Sequence, residues 1–158
     1  MTSEPTFRQA TPTDAPAVLA IGHRLWDEMG EQSGFTQRPT EEGLGRLFAG
    51  EGGGAVFVCA LPADRQEVDD AICGFSLLVP EVQEPGVAAM GVWLLPGTRG
   101  KGIGRELALM ATDHARGAGF HKLRGIIPKE NEQALSFFSE IASLAQMVGH
   151  GMEYELPL

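Results

Sequence analysis

The stretch LLPGTRGKGIGREL, residues 94–107, constrains this chain more than any other. An apolar, strand-like run enters it, and Gly100, Gly102 and Gly104 follow at alternate positions. A helical pattern starts at once, with Ile103, Leu107, Met110, Ala111 and His114 recurring along one face until Gly117 and Gly119 end it. A strand that runs into a helix through glycines leaves bare backbone N–H groups at the helix start. Those amides, with the positive end of the helix dipole, make a site for phosphate oxygens, and glycine lets a bulky anion come close. Arg99, Lys101 and Arg105 add positive charge around it. Spacing excludes two nucleotide signatures. The dinucleotide fingerprint needs its third glycine where Arg105 stands, and the Walker loop needs glycine at Leu95 and a hydroxyl at Gly102.

The rest of the chain supplies elements to pack against this unit. A strand around Thr6 to Gln9 precedes a helix that Thr13 or Asp14 can cap, with Val18, Ile21, Leu25 and Met29 on its apolar face and an end near Gly30. Residues 31–39 read as a loop, and Thr40 caps a short helix carrying Leu44, Leu47 and Phe48. The runs AVFVCALP, AICGFSLLVP and VAAMGVWLLP are strands, the last with small residues that allow close approach of a ligand or another backbone. KLRGIIP is a further strand, Asn131 to Leu144 a helix, and QMVGHGMEYEL a closing strand or hairpin. At 158 residues, with no linker or repeat, this is one domain over 1–158: an α/β or α+β sheet with helices on its faces.

Charge is unevenly placed. Of a net −9, residues 1–90 hold 14 acids against 5 Lys and Arg, whereas residues 91–158 hold 7 of each. That balance argues against nucleic acid as a partner and suits a cationic substrate. No apolar run is long enough to span a bilayer, and the N-terminus lacks the basic flank and apolar stretch of a secretory signal, so a cytoplasmic protein without a membrane partner is expected. Cys59 and Cys73 lie in apolar strand segments and read as reduced, buried residues. The four histidines show no paired ligand spacing, so no metal is expected.

Arg99, Gly102 and Gly104 match Arg or Gln, two variable residues, Gly, a variable residue, then Gly or Ala, and NEQALSFF places Asn131, Ala134, Phe137 and Phe138 in a second pattern. With this order of elements the chain resembles the GNAT superfamily of N-acetyltransferases over nearly its whole length. The resemblance implies a mixed, mainly antiparallel central sheet flanked by about four helices. It implies acetyl-CoA as co-substrate, with pyrophosphate held by backbone amides across Arg99, Gly100, Lys101, Gly102, Ile103, Gly104 and Arg105. Val92, Trp93 and Leu94 would present strand edges to the pantetheine arm, and Asn131, Phe137 and Phe138 would line the same arm. The implied reaction is direct attack by a primary amine of a small molecule, peptide or protein on the thioester. Monomer or homodimer is left open.

The chain departs from the family where proton transfer is concerned. Many members carry a carboxylate on the motif strand as base and a tyrosine as acid. VAAMGVWLLP holds no carboxylate, the nearest acids being Glu81 and Glu84, and the tyrosine position is Phe138. Tyr154, the sole tyrosine, and Glu84 are therefore the catalytic candidates, and His150 a candidate relay. Asp27 and Glu28, with Glu31, are candidates for holding the amine. A thiol of pKa about 8.5 leaves as thiolate at modest cost, so the missing acid does not abolish chemistry. Freeing a lysine-like amine costs about 4 kcal/mol near neutral pH, against about 1 for an α-amine. The alternative is a non-catalytic module that binds acyl-CoA.

Overall fold

A computed structural model describes residues 5–33, 35, 37–61, 71–95, 102–128, 144–148 and 151–158. Seven strands form one sheet: β1 (Thr6–Gln9), β2 (Ala55–Leu61), β3 (Ala71–Pro80), β4 (Val87–Leu94), β5 (Lys122–Pro128), β6 (Leu144–Val148) and β7 (Gly151–Pro157), in the order β1-β2-β3-β4-β5-β7-β6. All neighbours are antiparallel except β4 and β5, which run parallel. Three α-helices are described: α1 (Ala15–Met29), α2 (Glu41–Phe48) and α3 (Ile103–Gly117). The expected helix from Asn131 to Leu144 lies outside the described residues up to 143, and Leu144, expected as its last residue, instead opens β6; the closing run is the hairpin β6–β7.

Alternation along the central strands sorts side chains onto two faces. Ala88 and Met90 of β4 and Leu78 of β3 pack with Ile103, Leu107 and Ala111 of α3. Phe75 and Leu77 of β3 pack instead with Val18, Ile21 and Leu25 of α1 and Leu44 and Leu47 of α2. Each helix therefore buries most of the stripe its sequence spacing marked out, Met29 at the end of α1 being only partly covered. Ser76 is fully buried on the α3 side, where its hydroxyl donates to the Leu107 carbonyl at 3.0 Å and so satisfies a polar group the core would otherwise penalise.

The helix starts are set by different devices. Thr40 accepts from the Gly43 amide at 3.0 Å, the N-cap expected for α2. Asp14 stands at the N-cap of α1 but makes no cap bond to that helix. Its carboxylate instead takes a bidentate pair from Arg8 at 2.6 and 2.9 Å and the Thr11 amide at 2.8 Å, tying β1 to the turn before α1. Cys59 and Cys73 are buried thiols outside any disulfide, Cys73 sitting at a bulge where the β2–β3 register shifts. Burial, with Cys73 beside it, pushes the Cys59 thiol up to about 12, so it stays protonated and unreactive.

The Arg8 hydrogen bond lowers Asp14 to about 2, from an ordinary 3.8. A depressed carboxylate stabilises the fold fully above its unfolded value and loses that contribution as pH falls toward the folded one. Asp14→Asn should thus cost roughly 1–2 kcal/mol at pH 7. The difference from the parent should shrink as pH falls from about 4 to about 2, as urea unfolding at each pH will test.

Candidate active site

The parallel ladder between β4 and β5 is short. Val87 pairs with Lys122, Ala88 with Leu123 and Ala89 with Arg124, and there the ladder ends although both strands continue. β4 stays on β3 to its last residue, Leu94 lying opposite Gly74, while β5 stays on β7. The two strands therefore part beyond Ala89, and a gap opens along the second half of β4.

Hydrogen-bond alternation decides which backbone groups face it. Leu95 donates its N–H to the Cys73 carbonyl at 2.9 Å, so Leu95 and, two residues back, Trp93 direct their backbone groups toward β3. Val92 and Leu94 then direct theirs toward the gap. Of the three residues expected to present strand edges, Trp93 is thus removed from the set. Its side chain points away as well. The indole stacks on Phe35 with centroids 4.2 Å apart and planes 7° apart, lies 5.3 Å from Phe75, and donates from Nε1 to the Ser33 carbonyl at 2.8 Å.

The small residues of β4 have a corrected role at one position. A Cβ on Gly91 would lie 2.3 Å from the Trp93 ring, so this glycine makes room for the chain's own indole rather than for a ligand.

The start of α3 lies against the same end of β4. A Cβ on Gly104 would meet Leu94 at 3.4 Å and Val92 at 3.7 Å, which places Gly104 at the contact between helix and strand. Ile103 is buried in the α3 core, leaving only its amide for a ligand. Gly102 is the N-cap, at φ 80°, and among the described residues no atom lies within 4 Å of the space a Cβ would take. The first helical bond runs from Glu106 N–H to the Gly102 carbonyl, and the amides of the preceding first-turn residues have no acceptor inside the helix. Arg105 is exposed there. Gly102 and the first-turn amides, beside the gap-facing Val92 and Leu94, fit the needs of a pyrophosphate followed by an extended arm. Arg99, Gly100 and Lys101 lie outside the described residues, as do Asn131, Phe137, Phe138 and His150.

The acid–base candidates fall elsewhere. Glu84 is in the turn before β4, at the end where β4 and β5 are still paired. Val87 to Leu94 spans roughly 23 Å at ~3.3 Å per residue, so Glu84 and the open end of the gap are far apart. Arg124 grips Glu84 through both oxygens, at 2.5 and 3.2 Å, and that hydrogen bond holds the carboxyl below its usual range. Position and ionisation both count against Glu84 as the base. Tyr154 lies in β7 opposite Gly125 and Ala145, its side chain outside the described part.

Asp27 and Glu28, on the last turn of α1, are exposed but matched by the chain's own cations. Arg38 reaches Asp27 at 3.2 Å, lowering its pKa chiefly through that bond, and Arg24 reaches Glu28 at 3.1 Å. His23 meets the Pro39 carbonyl at 2.7 Å and His114 stands edge-on to Phe57, both structural contacts. Ser33 and Phe35, which hold Trp93, gave no signal in the sequence because they lie in a segment with no periodicity.

Residues 22–142, most of the chain, match the acetyltransferase (GNAT) family. The chain belongs to that family. No curated protein is matched. Among solved structures, the GNAT-family chain is similar to an N-acetyltransferase from Staphylococcus aureus Mu50, at 17% identity and a TM-score of 0.72 over 98% of this chain and 99% of that one. It is similar to yncA from Salmonella typhimurium, solved with its cofactor acetyl-CoA, at 17% identity and 0.71 over 99% and 94%. It is also similar to the PaiA N-acetyltransferase of Thermoplasma acidophilum in complex with coenzyme A, at 15% and 0.73 over 98% and 99%. These likenesses establish the fold, and the family match makes this GNAT protein an acyltransferase.

Gly91→Ala should drive a methyl group into the Trp93 ring. The expected outcome is a loss of about 1–3 kcal/mol in stability with a changed near-UV circular dichroism band, as overpacking of an aromatic site produces. An unchanged band and unfolding midpoint would contradict this account of Gly91.

Proposed function

We propose that this GNAT protein moves an acetyl group from acetyl-CoA to a primary amine by direct attack. The observation that carries the reading is the parting of β4 and β5 beside the open, left-handed N-cap of α3, with the backbone groups of Val92 and Leu94 turned to the gap. Acetyl-CoA, when bound, supplies an activated thioester. The amides from Gly102 to Arg105 would hold its pyrophosphate, joined by Arg99, Gly100 and Lys101. The gap-facing groups of Val92 and Leu94 would hold the pantetheine, and the Leu94 N–H would steady the developing oxyanion. Asn131, Phe137 and Phe138 would line the far side of the arm. The acetyl-CoA bound to yncA and the coenzyme A bound to PaiA support this choice of donor.

The acceptor is read as an amine that enters already neutral or loses its proton to water, because Glu84 is engaged by Arg124 at the other end of β4. That favours amines of lower pKa, for which the free form costs about 1 kcal/mol rather than about 4. A cationic acceptor would have to compete with Arg38 for Asp27 and with Arg24 for Glu28. Screening amines with acetyl-CoA while following thiol release tests the reaction. If no amine tested gives thiol release from a protein that binds CoA, the non-catalytic module is the better reading.

Gly102→Val places bulk at the proposed pyrophosphate position and strains a left-handed residue by about 1–2 kcal/mol. CoA affinity measured by calorimetry should fall by about ten-fold or more, with the folded circular dichroism spectrum retained. Undiminished affinity would remove the assignment. For the leaving thiolate, Tyr154→Phe should lower kcat by about 10- to 100-fold with little change in the acetyl-CoA KM if Tyr154 is the acid. If water protonates the thiolate, Tyr154→Phe is nearly silent and Phe138→Tyr raises kcat. Steady-state kinetics of the two variants separates these routes.

A further inference from the structure

Trp93 is the penultimate residue of β4, yet neither its backbone nor its ring serves the gap edge. The backbone pairs with β3, and the ring lies on the α1 and α2 face against Phe35 and Phe75. What the ring does hold is the 3-10 turn Gly30–Ser33, through the 2.8 Å bond from Nε1 to the Ser33 carbonyl. The same turn also rests against β5. It therefore crosses from β4 to β5 on the face opposite α3, over the region where the two strands part.

Further bonds stiffen this segment. The Ser33 hydroxyl donates to the Gly30 carbonyl at 2.6 Å and accepts from the Phe35 amide at 3.3 Å, and Arg38 binds Asp27 while His23 meets the Pro39 carbonyl. The turn and the described residues that follow it are thus held by side chains from α1 and β4. Since α3 packs over the other face of β4, an amine reaching the gap meets the face spanned by this turn.

We propose that Trp93 is a positioning residue for the acceptor amine, fixing the Gly30–Ser33 turn across the gap so that its place sets how the amine enters. The inference rests on reading the gap as the acyl-transfer site. Because the indole and the backbone of Trp93 both face away from the gap edge, its loss should act on the amine and spare CoA.

Two variants of the full chain test it. Trp93→Phe keeps an aromatic ring and removes the N–H donor, whereas Phe35→Leu keeps the donor and removes the stacked partner. In both, amide hydrogen exchange over residues 30–39 should quicken by about five-fold or more, with CoA affinity by calorimetry within about two-fold of the parent. With the best amine from the screen, the amine KM should rise about five-fold, while kcat and the acetyl-CoA KM stay within about two-fold. Exchange that does not change in either variant overturns the proposal. So does quickened exchange with an unmoved amine KM, which leaves the acetyltransferase reading standing. A parent that binds CoA and turns over no amine overturns the acetyltransferase reading and the acceptor role together.

Discussion

Everything at the proposed site depends on where the hydrogen bonding between β4 and β5 stops. A strand inside a sheet normally spends the backbone groups of both its edges on its neighbours. β4 keeps β3 along its whole length but shares only Val87, Ala88 and Ala89 with β5. Beyond that point β4 and β5 are no longer paired, and it is on this edge, at Val92 and Leu94, that the proposed pantetheine contacts rest. The gap is maintained because each strand remains committed elsewhere, β4 to β3 and β5 to β7.

Two helical layers then give the gap different faces. On one, α3 seats Ile103, Leu107 and Ala111 against β4 and brings its N-terminus to Val92 and Leu94. Gly104 lies at that contact and Gly102 adopts the left-handed turn that starts the helix. On the other, α1 and α2 pack over Phe75 and Leu77, and Trp93 links this layer to the turn Gly30–Ser33. The alternation of a single strand, Val92 and Leu94 against Gly91 and Trp93, separates the face covered by α3 from the face covered by α1 and α2.

Electrostatics plays a smaller part than the count of acids suggests. Asp14, Asp27, Glu28 and Glu84, all in the acidic first half, are bound by Arg8, Arg38, Arg24 and Arg124. Lys122 and Arg124 also share Glu155 across β5 and β7. Several of these pairs are largely exposed, where an ion pair contributes little, so they matter chiefly by occupying carboxylates that would otherwise seem open to a substrate or a proton.

The sequence alone determined the helix faces, the run of strands and the glycine-marked start of α3, because each rests on local spacing: 3.6-residue periodicity, alternation, and the φ of Gly102. It determined family membership for the same reason, the motif at Arg99, Gly102 and Gly104 being contiguous. Tertiary structure decided what depends on contacts between distant residues. That Glu84 is held by Arg124, 40 positions away, and that the Trp93 indole reaches Ser33, 60 positions away, follows from strand order, which no local pattern encodes. Gly91 looked like space for a ligand until the ring of Trp93 filled it. The side of β4 that faces the gap was likewise fixed only by pairing, since alternation turns the backbone groups of Val92 and Trp93 opposite ways and the register with β3 alone decides which of them faces it.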